Sequence, residues 1–165
     1  MTKKVRKMLE QKAIELAEQG FINENQLDAL LNKQMNKGII AEGTLTTNLN
    51  INTTFDNKQG EDLVYRGIKI QFKYMGFGSS PSVTETKKKA TETVEKFVDR
   101  VLEKYSEVDE FWIYAENDLE LDLNRIYALT KNQFKQFLIT QNIKDNKKIR
   151  LTGKRTLRNM FNQGL

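Results

Sequence analysis

Apolar residues recur at helical spacing over residues 3–19, where Val5, Met8, Leu9, Ala13, Leu16 and Ala17 share one stripe and Gly20 supplies a stop. A second helix is predicted to carry Leu27, Leu30, Leu31 and Met35, with Asn23 or Asn25 as its cap and Gly38 as its end. Residues 43–59 are rich in Thr and Asn, and Leu45, Leu49, Ile51 and Phe55 predict only a weak strand between loops. The period then falls to two. Glu61–Tyr65 and Ile68–Met75 predict a β-hairpin about an Arg66-Gly67 turn. Residues 76–86, GFGSSPSVTET, hold the single proline and predict a loop. From Thr84 or Thr86 a long helix is expected to run to about Tyr105, with Ala90, Val94, Phe97, Val98, Val101, Leu102 and Tyr105 on one face. Phe111–Ala115 is apolar throughout and predicts a central strand. Leu119–Leu123 alternates apolar and acidic residues, and Arg125–Leu129 predicts an extension of it or a following edge strand. Thr130 and Gln133 form a capping-box pattern before a helix over 132–140. Ile149–Leu151 predicts a short strand and Lys154–Asn162 a basic helix. This order predicts an α/β or α+β domain around one mixed sheet.

The 165 residues suffice for a single domain, with no repeat or linker composition to divide it. No apolar run reaches the roughly 20 residues of a membrane span. The basic, amphipathic N-terminus reads as a mature helix rather than a signal peptide, and the absence of Cys fits a cytoplasmic protein. The chain also has no His. That excludes Ser-His-Asp and Cys-His nucleophilic catalysis, His general bases and His-ligated zinc. Net charge is +5, a lean toward polyanions. The charge is unevenly spread. Lys144, Lys147, Lys148, Arg150, Lys154, Arg155 and Arg158 accompany only Asp145 at one end, whereas residues 107–122 hold seven acidic side chains and no basic one.

The hairpin carries the candidate chemistry. Gln71 and Lys73 point to one face of their strand, and Ile70, Phe72 and Tyr74 to the other. Asp62 on the first strand brings a carboxylate to that amide and ammonium. Mg²⁺ prefers oxygen ligands, so Asp62 is the natural anchor, with the Gln71 amide oxygen, the Phe72 main-chain carbonyl and Gln59 as further metal-site candidates. Lys73 suits stabilisation of a charged transition state or handling of the attacking water's proton. Asp62, Gln71 and Lys73 are therefore the candidate catalytic residues, and Glu10 or Glu15 of the first helix is an auxiliary acid.

This Asp…Gln-x-Lys hairpin, followed by a helix and an apolar strand, resembles the core of the PD-(D/E)XK nucleases. Within that family it is most similar to short homodimeric type II restriction enzymes of the blunt-cutting Pvu type. Gln59-Gly60-Glu61-Asp62, Ile70-Gln71-Phe72-Lys73, the Gly76-Phe77 loop, Trp112-Ile113-Tyr114-Ala115, and Arg125-Ile126-Tyr127 leading to Gln133-Phe134 carry the resemblance, over roughly residues 56–140. It implies a restriction-endonuclease-like fold, a mixed central sheet flanked by helices. It also implies Mg²⁺-dependent cleavage of double-stranded DNA by a homodimer, with residues 1–40 as a dimerisation or DNA-embracing region and 41–165 as the catalytic core. Homing endonucleases and Holliday-junction resolvases of the same fold are alternatives, as is a non-catalytic DNA-binding accessory protein. Two departures stand out: Gln71 occupies the usual place of an acid, and the following loop lacks base-reading histidines.

Candidate DNA contacts are Ser80, Ser82, Thr84 and Thr86 in the loop, Lys87, Lys88 and Lys89 beside it, and Arg150, Lys154, Arg155 and Arg158 in the basic segment. Three lysines in a first helical turn would oppose the helix dipole, which favours a functional reason for them. Tyr74, Phe77 and Trp112 are expected to pack rather than to stack on bases.

Overall fold

The computed structural model describes residues 1–55 and 62–165. Gln59 lies outside them. The chain is mixed α/β, as expected. It divides into two compact units, Met1–Asn57 with Asp118–Leu121, and Lys58–Asn117 with Asp122–Leu165. Among the described residues no helix is long and apolar enough to cross a membrane.

The first unit is helical. Helix α1 spans Lys3–Glu18, is capped by the Thr2 hydroxyl, and is followed by Gly20 at φ +81°. Helix α2, Glu24–Asn32, begins with a reciprocal capping box between Asn23 and Gln26. It ends six residues before Gly38, because a third helix starts there: α3 spans Lys37–Asn48, capped by Asn36. The weak strand expected from Thr and Asn content is therefore corrected in part to a helix. Propensity is a weak guide where burial is this complete, since Ile40 through Thr46 are all buried. Buried threonines there donate backwards along the helix, Thr44 Oγ1 to the Ile40 carbonyl at 2.9 Å and Thr46 Oγ1 to the Gly43 carbonyl at 2.8 Å. Gly43 permits close packing: a Cβ there would lie 2.6 Å from Phe21 and 2.8 Å from Leu16.

The second unit is built on a sheet of order β1-β2-β3-β4. Strands β1 (Leu63–Tyr65) and β2 (Ile68–Tyr74) form the expected hairpin. Arg66 and Gly67 both take positive φ, 51° and 78°, the geometry that matches a two-residue turn to strand twist. Strand β3 (Glu110–Tyr114) runs parallel to β2, so residues 75–109 form a crossover. Strand β4 (Tyr127–Thr130) closes the order antiparallel to β3 as an edge. Leu119–Leu123 is not a strand. The chain there turns through Leu121 at φ 49° and a 3₁₀ turn at Leu123–Arg125.

The long helix is also corrected. Helix α4 is only Val94–Leu102, capped by Thr93 and continued by a 3₁₀ turn to Tyr105. Its buried face is Phe97, Val98, Val101 and Leu102, worth roughly 1.5–3 kcal/mol for each fully buried side chain. Those residues join Phe111 and Ile113 of β3 and Phe134, Phe137 and Leu138 of helix α5 (Lys131–Ile139) in one core. Phe111 and Phe134 stack with centroids 4.2 Å apart. The Thr130–Gln133 capping box forms at the start of α5. Helix α6 is Lys154–Met160. The short strand expected at Ile149–Leu151 reduces to an isolated bridge between Ser82 and Arg150.

Candidate functional site

Residues opposite one another in a sheet share a face, so Gln71 and Lys73, aligned with Phe111 and Ile113, lie on the face that carries the α4–α5 core. Gln71 is buried, at 7% exposure. Lys73 Nζ donates to the Ser82 carbonyl at 3.0 Å, which ties the candidate catalytic strand to the loop after it.

Asp62 stands one residue before β1, where the ladder has ended. Its own N–H donates to the Ile70 carbonyl at 2.7 Å, and its carboxylate Oδ2 accepts the Phe72 N–H at 2.7 Å. The cause is local. Ile70 and Phe72 turn their peptide groups toward the β1 edge, where the Ile70 carbonyl meets the Asp62 N–H and the Phe72 N–H meets the Asp62 side-chain oxygen. The N–H and C=O of a strand residue point to the same edge, which turns the Phe72 carbonyl toward the Asp62 side as well.

The three metal-site calls among the described residues, Asp62, Phe72 and Gln71, thus lie on adjoining backbone, each offering an oxygen, with Lys73 next in sequence. An all-oxygen donor set suits Mg²⁺, which binds through one or two carboxylates and completes its shell with water and substrate oxygens. Asp62 is the only acid of the set. Among the described residues no group of three acidic side chains could hold a metal.

The predicted DNA contacts separate into two groups. Several are consumed in holding the fold. Ser80 Oγ donates to the Leu151 carbonyl at 2.8 Å, and Thr84 is buried with its hydroxyl accepting the Thr86 N–H. Lys88 is 8% exposed, and its ammonium bonds Asp145 at 2.6 Å and the Lys89 carbonyl. That pairing corrects the picture of three lysines on a first helical turn: residues 87–89 precede α4 and are extended beside 145–147. Lys154 Nζ donates to Asn117 Oδ1, which also accepts the Phe77 N–H. Ser82 contributes backbone only, through its carbonyl and its bridge to Arg150.

The others remain outward. Lys87, Lys89, Arg150, Arg155 and Arg158 are exposed. Lys87 and Arg150 line a cleft of about 770 Å³ together with Lys144, Lys147 and Lys148. The last three belong to the basic segment whose charge run favours phosphate contact, although they are not among the individual contact residues predicted from sequence. Tyr74 and Trp112 pack as expected: Tyr74 stacks on Tyr114, and Trp112 meets Tyr65 edge-on.

No known protein family, curated protein or solved structure matches this chain.

Proposed function

We propose that this protein is a Mg²⁺-dependent endonuclease of double-stranded DNA, of the PD-(D/E)XK type and acting as a homodimer. The observation that carries the reading is the Asp62 carboxylate held on the Phe72 N–H at 2.7 Å, with Gln71 and Lys73 on one face of the same strand. A phosphodiester is a shielded anion, and bound Mg²⁺ supplies Lewis-acid neutralisation of its charge. Asp62 would anchor the cation, and Gln71 and the Phe72 carbonyl would add neutral oxygens. The Lys73 ammonium, which donates to the Ser82 carbonyl at 3.0 Å, would place its positive charge where negative charge builds on the phosphoryl oxygens.

Conversion of supercoiled plasmid to nicked or linear forms tests this directly. Cutting should need Mg²⁺, stop with EDTA, and vanish in Asp62→Ala and Lys73→Ala. Equal cutting by both variants would remove the site from consideration. Comparison of a linear duplex with a four-way junction separates a restriction or homing role from a resolvase role.

A second reading, DNA binding without catalysis, is favoured by Asp62 being the single acid of the donor set and Gln71 being both neutral and buried. It predicts salt-sensitive binding with no cleavage in any divalent metal.

A further inference from the structure

The cleft in the second unit has two walls, one from residues 85–87 and the other from 142–152. Five cations line it, Lys87, Lys144, Lys147, Lys148 and Arg150, against the single carboxylate of Glu85. Glu85 pairs with Lys148 at 3.2 Å. Among the described residues the other four cations form no ion pair. Gathering like charges opposes folding unless an anion uses them.

The walls are fixed rather than loose. Val83 N–H donates to the Ile149 carbonyl at 3.0 Å, Leu151 N–H to Pro81 at 2.9 Å, Lys88 N–H to Lys147 at 3.0 Å, and Asn146 N–H to Lys88 at 2.7 Å. The Lys88–Asp145 pair joins the same two segments through side chains. Along the second wall Ile149 and Leu151 are buried while Arg150 and Thr152 are exposed, the alternation of an extended segment with one face in the core. Arg150 is further steadied by donating to the Ser80 carbonyl at 3.2 Å.

We propose that this cleft binds the sugar–phosphate backbone of duplex DNA, with Lys87, Lys144, Lys147 and Arg150 neutralising its phosphates. The choice of duplex rests on the nuclease reading, but the site uses none of Asp62, Gln71 or Lys73. A cleft of about 770 Å³ exceeds what one phosphate fills, and cations on both walls, Lys87 on one and Lys144, Lys147 and Arg150 on the other, suit a charge repeated about every 3.4 Å on each strand. Asn142 and Asn146 add neutral donors for phosphate oxygens and base edges.

The test is fluorescence anisotropy of a labelled duplex in EDTA, where no cutting occurs, across a salt series. Lys144→Gln/Lys147→Gln/Arg150→Gln should lose about tenfold or more in affinity, and the slope of log K against log salt should flatten by about 3. Lys144→Arg/Lys147→Arg should bind as wild type, which separates lost charge from lost fold. An unchanged slope in the triple variant overturns the proposal. Full displacement of duplex by about 1 mM inorganic phosphate overturns it too, by making the cleft a small-anion site, since loss of a polymer needs many contacts broken together. Wild type that binds through the cleft yet never cuts with Mg²⁺ sinks the nuclease reading alone. Wild type that cuts while the triple variant binds normally sinks the cleft alone.

Discussion

Asp62 does two jobs that can be pulled apart by substitution. Its carboxylate satisfies the Phe72 N–H at 2.7 Å, and in the proposed chemistry its charge anchors the metal. Hydrogen bonds to ionised groups contribute about 1.5–3 kcal/mol; Asp62 is half-buried, so water substitutes in part, and about 1–2 kcal/mol is the expected share. Asp62→Asn retains a carbonyl oxygen for the Phe72 N–H and removes the charge. Asp62→Ala removes both. Stability should therefore fall by about 1–2 kcal/mol in Asp62→Ala and by under about 0.5 kcal/mol in Asp62→Asn. Single-turnover cleavage should fall on the order of 10³-fold or more in both, about 4 kcal/mol of lost transition-state stabilisation. Urea unfolding followed by the fluorescence of Trp112, the single tryptophan, reports on β3 beside the hairpin itself. If Asp62→Asn cuts at the wild-type rate, the carboxylate is not part of the chemistry. If it destabilises as much as Asp62→Ala, the Phe72 hydrogen bond is not what the side chain contributes.

Hydrogen bonds from Arg100 and then from the Lys89 N–H hold the Glu92 carboxyl down from 4.5 to about 2. A depressed carboxyl stabilises the fold above its unfolded value and loses that contribution as pH falls through the folded one. Wild type should thus lose stability between about pH 4.5 and 2, and Glu92→Gln should flatten that part of a urea-midpoint profile; an unchanged profile would refute the assignment. Asp145→Ala leaves the buried Lys88 ammonium with only the Lys89 carbonyl and should cost about 1–2 kcal/mol, whereas Lys88→Met, similar in shape and uncharged, should be nearly neutral by the same Trp112 fluorescence. Gln71→Glu supplies a second acid at a 7% exposed position. It should destabilise the metal-free protein by about 1–3 kcal/mol and lower the Mg²⁺ needed for half-maximal cutting; a raised requirement would argue against Gln71 as a ligand.

Local signals were readable wherever the determining partners sit close in sequence. The Arg66-Gly67 turn, the Thr130–Gln133 capping box and the apolar run of β3 all emerged from a few adjacent residues, and each is found in place. Helix α3 was hidden because its Thr and Asn residues disfavour a helix in isolation, and burial against neighbours overrides that preference. Lys88 looked like a solvent-facing charge because its partner, Asp145, is 57 residues away. The same distance shortened the long helix: residues that continue its polar pattern are drawn instead into hydrogen bonds with 145–151. At the candidate site, alternation gave the shared face of Gln71 and Lys73. The bond from Phe72 to Asp62 joins a backbone N–H to a side chain across the hairpin, and no periodicity announces that.

The pairing of residues 80–88 with 145–151 also orders events in time. Ser80 and Leu151 are 71 residues apart, and closing so long a loop carries an entropic penalty that grows with the logarithm of its length. The β1–β2 hairpin closes over a two-residue turn and needs no distant partner. In a folding chain the hairpin can therefore form on the microsecond scale of local events, while the cationic walls meet only after the crossover and the C-terminal segment have docked. Polyanion affinity then becomes a property of the finished fold, and a half-folded chain carries its candidate chemistry without the grip that would bring a strand to it.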